Sequence, residues 1–193
     1  DIVERFNTHI TQTITRLSIF YNLTQNQQVI AASVLRDFYY DYFTAEQMAV
    51  ITELDNQDYP LITELNEYLE RRLKSNSDDN SKRDVIVELR TAITSLIEQH
   101  YNKFVGYTNL DNIMTNQVVM FDISMIDDNT SGVFDMLFHM ALTMVWSLAM
   151  RNGRKEKYAY DTGAKPFDEI TRTVIIADEV HNVLNPRKIF VAD

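Results

Sequence analysis

From Ile2 to Tyr101 the apolar residues recur every three or four positions, and over that length the spacing leaves room for little but α-helix. Val3, Phe6, Ile10, Ile14, Leu17 and Phe20 make one face of a first helix ending near Tyr21. Thr24 with Gln27 is a capping-box pattern, and Val29, Ile30, Val34, Leu35 and Phe38 follow it. Thr44 with Gln47 repeats the pattern ahead of Met48 and Ile51. Asp58 before Pro60 predicts the start of a helix carrying Leu61, Leu65, Leu69 and Leu73. The polar stretch from Ser75 to Ser81 favours a loop. A long helix with Val85, Leu89, Ile93, Leu96 and Ile97 on one side then runs to about Tyr101. Residues 1–103 therefore read as a compact helical bundle, with Phe38, Tyr39, Tyr40, Tyr42 and Phe43 as packing residues and a partner surface as the lesser alternative.

The pattern changes after Lys103. Phe104 to Thr108 is short and β-like, and Gln117 to Ser124 is a continuous apolar run ending in an acid, Asp122. An almost wholly apolar helix is predicted over 131–151, a polar connector over 152–171, and a second buried-strand run from Thr173. Strand, helix, strand is one right-handed crossover, which makes the pair parallel. The predicted fold is α-rich α/β: a helical bundle over 1–103, then a parallel-sheet βαβ unit over 104–193. The segment Val133–Met150 is near the minimum length for a bilayer span. Asp135 and His139 lie inside it, and it reads as a core helix clamped against the sheet, with no transmembrane segment expected.

The second apolar run ends in adjacent carboxylates, Asp178 and Glu179, followed by His181. Charges beside a dry sheet must be paired or bind a cation. In nucleotide hydrolases this is the Walker B arrangement: the first acid, here Asp178, holds Mg²⁺ through water, and the second, Glu179, orients or deprotonates the attacking water. His181 could sense the terminal phosphate or polarise Glu179. Asp122 would join them at the same sheet edge. The plain alternative is a solvated acidic turn.

The phosphate cradle G-x-x-x-x-G-K-[ST] is missing, because none of the four glycines is followed by Lys. The reading then requires a piece of a larger protein cut downstream of its P-loop. A net charge of −10 argues against a nucleic-acid surface spread over the whole chain. The absence of Cys removes disulfides, thiolate metal sites and Cys nucleophiles. His9, His100 and His139 show no ligand spacing, and no Ser/His/Asp triad can be assembled. Lys82, Arg83, Arg151, Arg154, Lys155 and Lys157 read as solvated loop ends.

Asn116 to Ser124, Val133 to Leu142 and Val174 to His181 with Leu184 and Asn185 together resemble the large conjugative-transfer ATPases of type IV secretion systems, the CagE/TrbE/VirB family. The resemblance covers about residues 104–185. It implies a partial P-loop NTPase (RecA-like) segment carrying the Walker B strand at 104–193, with 1–103 as a helical subdomain inserted in the ATPase domain. It implies Asp178 as the Mg²⁺-side acid, Glu179 as the catalytic glutamate, and His181 and Asp122 as accessory positions. ATP and Mg²⁺ are the implied cofactors of the parent, with none expected for the isolated chain. The implied partners are other subunits of a homo-oligomeric ATPase and proteins of the secretion or conjugation machinery. The implied location is cytoplasmic, peripheral at the inner face of the cell membrane. The family's P-loop lysine, later arginine and glutamine motif have no counterpart here. The competing reading is a non-catalytic helical protein-interaction module with an incidental acidic strand end.

Overall fold

Thr24 and Thr44 do locally what their sequence asks. The Thr24 hydroxyl accepts from the Gln27 N–H and the Gln27 side chain accepts from the Thr24 N–H at 2.8 Å, which opens α2, Gln25–Tyr42. The same reciprocal box between Thr44 and Gln47 opens α3, Ala45–Ala49, a single turn. Before them runs α1, Ile2–Tyr21, which stops where Asn22 takes a left-handed φ of 56°, a conformation Asn tolerates better than most residues. In this computed structural model the described residues are 2–75, 77–107, 118–122 and 132–176.

Asp58 does not cap the next helix. It ends a short 3-10 turn, Asn56–Asp58, where its carboxylate accepts from the Asp55 N–H at 3.1 Å. The chain passes through Tyr59, Pro60 and Leu61 before α4, Ile62–Ser75, begins. There Glu64 takes over the capping, accepting from the Leu61 N–H at 2.6 Å. Asp79 caps α5, Asn80–Phe104, through the Lys82 N–H. This long helix is broken by non-helical dihedrals at His100. Phe104 belongs to it and Val105 ends it, so no strand forms over 104–107.

Two compact units can be described, Asp1–Asp111 and Asn112–Asp193. In the first, α4 packs on α5, α1 on α2, and α5 also meets α1 and α2. Ile10, Val34, Leu69, Ile86, Ile93 and Leu96 are its largest fully buried side chains, contributed by four helices. Burying each such side chain is worth about 1.5–3 kcal/mol before entropy is counted. Residues 1–111 expressed alone should therefore show a helical circular dichroism spectrum and a cooperative thermal transition. A random-coil spectrum would contradict a bundle that closes on itself.

In the second unit, α6 spans Val133–Asp161 and starts after Gly132, whose φ of 98° suits glycine. The helix runs well into the stretch expected to be a polar connector. Arg151, Arg154, Lys155, Glu156 and Lys157 are good helix formers, and Lys157 pairs with Asp161 one turn on. Beyond it the chain turns back through a 3-10 turn, Phe167–Glu169, and is tied to α6 by Lys165 and the Thr171 N–H on Glu156, at 2.7 and 3.0 Å.

The partial P-loop NTPase (RecA-like) parallel-sheet βαβ unit is not present among the described residues, which are all helix, turn or irregular chain. Residues 118–122 and 171–176 are irregular. Val118, Met120, Val174 and Ile176 are 79–88% exposed, the opposite of a strand covered on both faces. A strand exists only by pairing its backbone with a neighbour, and an apolar run states a demand for cover without supplying it. Nor is α6 clamped between layers. Only 17% of its most apolar 18-residue window is buried, and Trp146 and Met150 are exposed. By length and composition α6 could cross a membrane, a test that the core helices of soluble proteins also pass.

Candidate functional site

The residues that carried the nucleotide reading are not brought together in the described structure. Asp178, Glu179 and His181 lie outside the described residues. Asp122 is described, but it is exposed at the end of an irregular stretch and terminates no strand. Among the described residues no three His, Asp or Glu side chains converge as a metal site. His9 shares a 2.7 Å hydrogen bond between its Nε2 and the Tyr39 hydroxyl, and His100 sits at the kink of α5 with its ring against Phe104. Two hollows along the outer face of α1, bordered by residues such as Glu4, Thr8 and Gln12, are wide open to solvent.

The best-built polar cluster instead centres on Arg72 of α4. Its guanidinium donates to both carboxylate oxygens of Asp78 at 2.7 and 2.8 Å, to Asp37 of α2 at 2.8 Å and to the Tyr68 hydroxyl at 2.8 Å. Lys82 of α5 completes it, reaching Asp37 at 3.1 Å. The Arg72 and Asp78 side chains are 15% and 10% exposed. The bond to Arg72 holds Asp78 well below the usual carboxylate range. Burial pulls Asp37 the other way, but the bonds from Arg72 and Lys82 win and keep it low too. Asp78 and Asp37 in turn push the Arg72 guanidinium up. Arg72 spends four N–H bonds within the cluster and Lys82 adds one, so the cluster clamps α2, α4 and α5 together. Lys82 is thus a clamp member rather than a solvated loop end, and Arg83 donates to the Leu73 carbonyl at 3.1 Å.

A second feature is aromatic. Tyr40 meets Phe6, Phe6 meets Tyr39, Tyr39 stacks on Phe43, and Phe43 touches both Tyr42 and Tyr59, with ring centroids 5.0–6.0 Å apart. Tyr39 is buried, which pushes its phenol up to about 12. Tyr40 and Tyr42, at opposite ends of the array, are 63% and 38% exposed. Around them the charge is one-sided. From Asp37 to Glu70 there are nine acids and no Lys, Arg or His. Asp37, Asp41 and Glu70 find cations on Arg71, Arg72, Lys74, Lys82 or Arg90. Glu46, Glu53, Asp55, Asp58, Glu64 and Glu67 form no salt bridge among the described residues.

The sequence marks the aromatic residues as packing, and Phe38, Tyr39 and Phe43 are buried, but it leaves the one-sided charge and the clamp unread. The uninterrupted acidic run was visible as a charge pattern. The Arg72 clamp carried little local signal, because its acidic partners lie six and 35 residues away.

No protein-family model matches the chain, and no solved structure matches it. It is similar to an uncharacterized protein of Bacillus anthracis, with 28% identity over 141 residues, covering 72% of this chain and 22% of that protein. The chain thus spans about a fifth of the length of the relative it matches.

Proposed function

We propose that this chain is part of a conjugative-transfer or type IV secretion motor ATPase, to which it contributes a helical subdomain and the acidic pair Asp178 and Glu179. The observation that carries the reading is one of order along the chain. A self-contained helical bundle over Asp1–Asp111 precedes the apolar helix α6, and the apolar run that leads to the two carboxylates comes after it. The length of the Bacillus anthracis relative supports a larger whole. The reading does not rest on a sheet within the described residues.

ATP and Mg²⁺ would be engaged by the whole protein. Backbone N–H groups of a phosphate loop and its lysine supply most of the affinity for a triphosphate, and these 193 residues contain no such loop. The isolated chain is therefore expected to show no micromolar heat of binding on titration with Mg-ATP, while the whole protein should hydrolyse ATP. A whole protein without ATPase activity would overturn the motor reading. It would leave the second one, a non-catalytic helical interaction module, with which the helical bundle of the first unit is compatible.

A further inference from the structure

The second half of α6 has two unlike faces. At about 100° per residue, Trp146, Met150, Arg151, Arg154, Lys157 and Tyr158 fall within an arc of about 140°, and all six are exposed. Leu148, Asn152, Glu156 and Ala159 fall on the opposite side and are half-buried. Along the exposed face the chemistry changes from apolar to basic. Trp146 and Met150 come first, and the cations begin at Arg151. Four of the seven residues 151–157 are basic and one, Glu156, is acidic. That acid lies on the covered side, where Lys165 and the Thr171 N–H engage it. Lys157 is paired with Asp161, whereas Arg151, Arg154 and Lys155 form no salt bridge among the described residues. We propose that this face of α6 docks flat on a membrane surface of anionic lipids, with Trp146 and Met150 at the headgroup–acyl boundary and Arg151, Arg154 and Lys155 on the lipid phosphates.

A lipid surface offers both halves of what this face asks for. An indole, apolar except for one N–H, suits a boundary that is wet on one side and dry on the other. The stems of Arg and Lys lie along apolar surface while their charged heads reach outward to phosphate. Nucleic acid is a poorer occupant, because its phosphates pair the cations but leave Trp146 and Met150 uncovered. The most apolar 18-residue window of α6 has a mean hydropathy of 1.5, yet its burial favours lying on the surface over crossing it. Val133, Asp135 and Met136 are buried, so the first turn belongs to the protein interior and only the second half presents an open face. Crossing a bilayer would draw that turn, with its carboxylate, out into hydrocarbon. The net charge of −10 confines the attraction to the neighbourhood of the cations. Arg151, Arg154 and Lys155 lie within about 6 Å along the helix axis, inside a Debye length of about 8 Å, so they act together.

The test is flotation of the full 193-residue chain with vesicles of phosphatidylcholine, alone or mixed with about one third phosphatidylglycerol. The chain should float with the anionic vesicles at about 0.1 M salt and stay behind with the neutral ones, and about 0.5 M salt should release it. A cation near an anionic surface contributes about fivefold, so Arg151→Gln, Arg154→Gln and Lys155→Gln together should weaken binding at least about tenfold. Trp146→Gln with Met150→Gln should weaken it about fivefold or more. Gln is a good helix former, and unchanged helical ellipticity checks that α6 persists in each variant. Arg5→Gln, Arg71→Gln and Lys103→Gln together remove three exposed cations from the first unit and should change binding little. Failure to float with anionic vesicles would overturn the proposal and leave this face to a protein partner. Equal flotation with neutral vesicles, full binding by the Arg151/Arg154/Lys155 variant or equal weakening by the control set would overturn it too. So would retention at high salt, the mark of a helix that crosses the bilayer. Flotation involves no nucleotide, so each of these results leaves the ATPase reading untouched.

Discussion

Glu179→Gln in the whole protein should stop ATP hydrolysis and leave nucleotide bound. Gln keeps the size of the side chain and a hydrogen-bonding carbonyl, yet it cannot take a proton from an attacking water. General-base assistance is worth about 10²–10⁴-fold, so the steady-state rate should drop at least about a hundredfold. Asp178→Asn should fail differently. It removes a charge beside the cation rather than a proton acceptor, so Mg²⁺-dependent nucleotide retention should be lost first. Measuring turnover and retained nucleotide in parallel separates the two variants. Wild-type turnover in Glu179→Gln would reduce the carboxylate pair to an acidic turn.

Arg72→Met should be the most damaging single change in the first unit that leaves its core residues untouched. Met fills much of the space, so the loss is one of pairing rather than volume. Asp78 is 10% exposed and would be left with a charge and no donor. Breaking a buried pair from one side costs about 3–5 kcal/mol; Asp37 is 42% exposed and can rehydrate, so about 2–4 kcal/mol is expected. In a bundle of this size that lowers the melting temperature by roughly 10 °C or more. Arg71→Ala is the control: its pair with Asp41 spans 3.8 Å on an open surface and should matter little. The clamp also predicts a pH dependence. Asp37 and Asp78 are held below their unfolded values, so their contribution is fully present above about pH 4 and fades as the pH falls further. Arg72→Met should lose that part of the acid sensitivity. Melting curves for the two proteins that stay parallel down to about pH 2 would show that the clamp does not couple to protonation.

What could be read from the sequence was local chemistry. The Thr24 and Thr44 boxes need only a hydroxyl and an amide three residues on, and the apolar spacing of α1, α2, α4 and α5 needs only the helical period. Asp58 misled because an acid before a proline suits two structures, and here it serves the 3-10 turn while Glu64 opens α4. The runs at 118–122 and 173–176 misled for a deeper reason. Apolar residues in a row specify that something must cover them, and whether the cover is a neighbouring strand is a property of the rest of the fold. Arg72 could not be found because nothing near it in sequence marks it off from Arg71, and only the approach of α2 to α4 and α5 tells them apart.

The aromatic array has a spectroscopic consequence. The ring chain of the first unit is built from Phe and Tyr, and the single tryptophan of the protein, Trp146, lies on α6 of the second. Light absorbed at the red edge of the near-ultraviolet band is taken up by Trp146 alone, whereas helical ellipticity is weighted towards the five helices of the bundle. The protein thus carries a separate optical reporter for each unit. Whether the two melt as one cooperative body or in turn can be read from the unmodified chain, by asking whether its fluorescence and ellipticity transitions coincide.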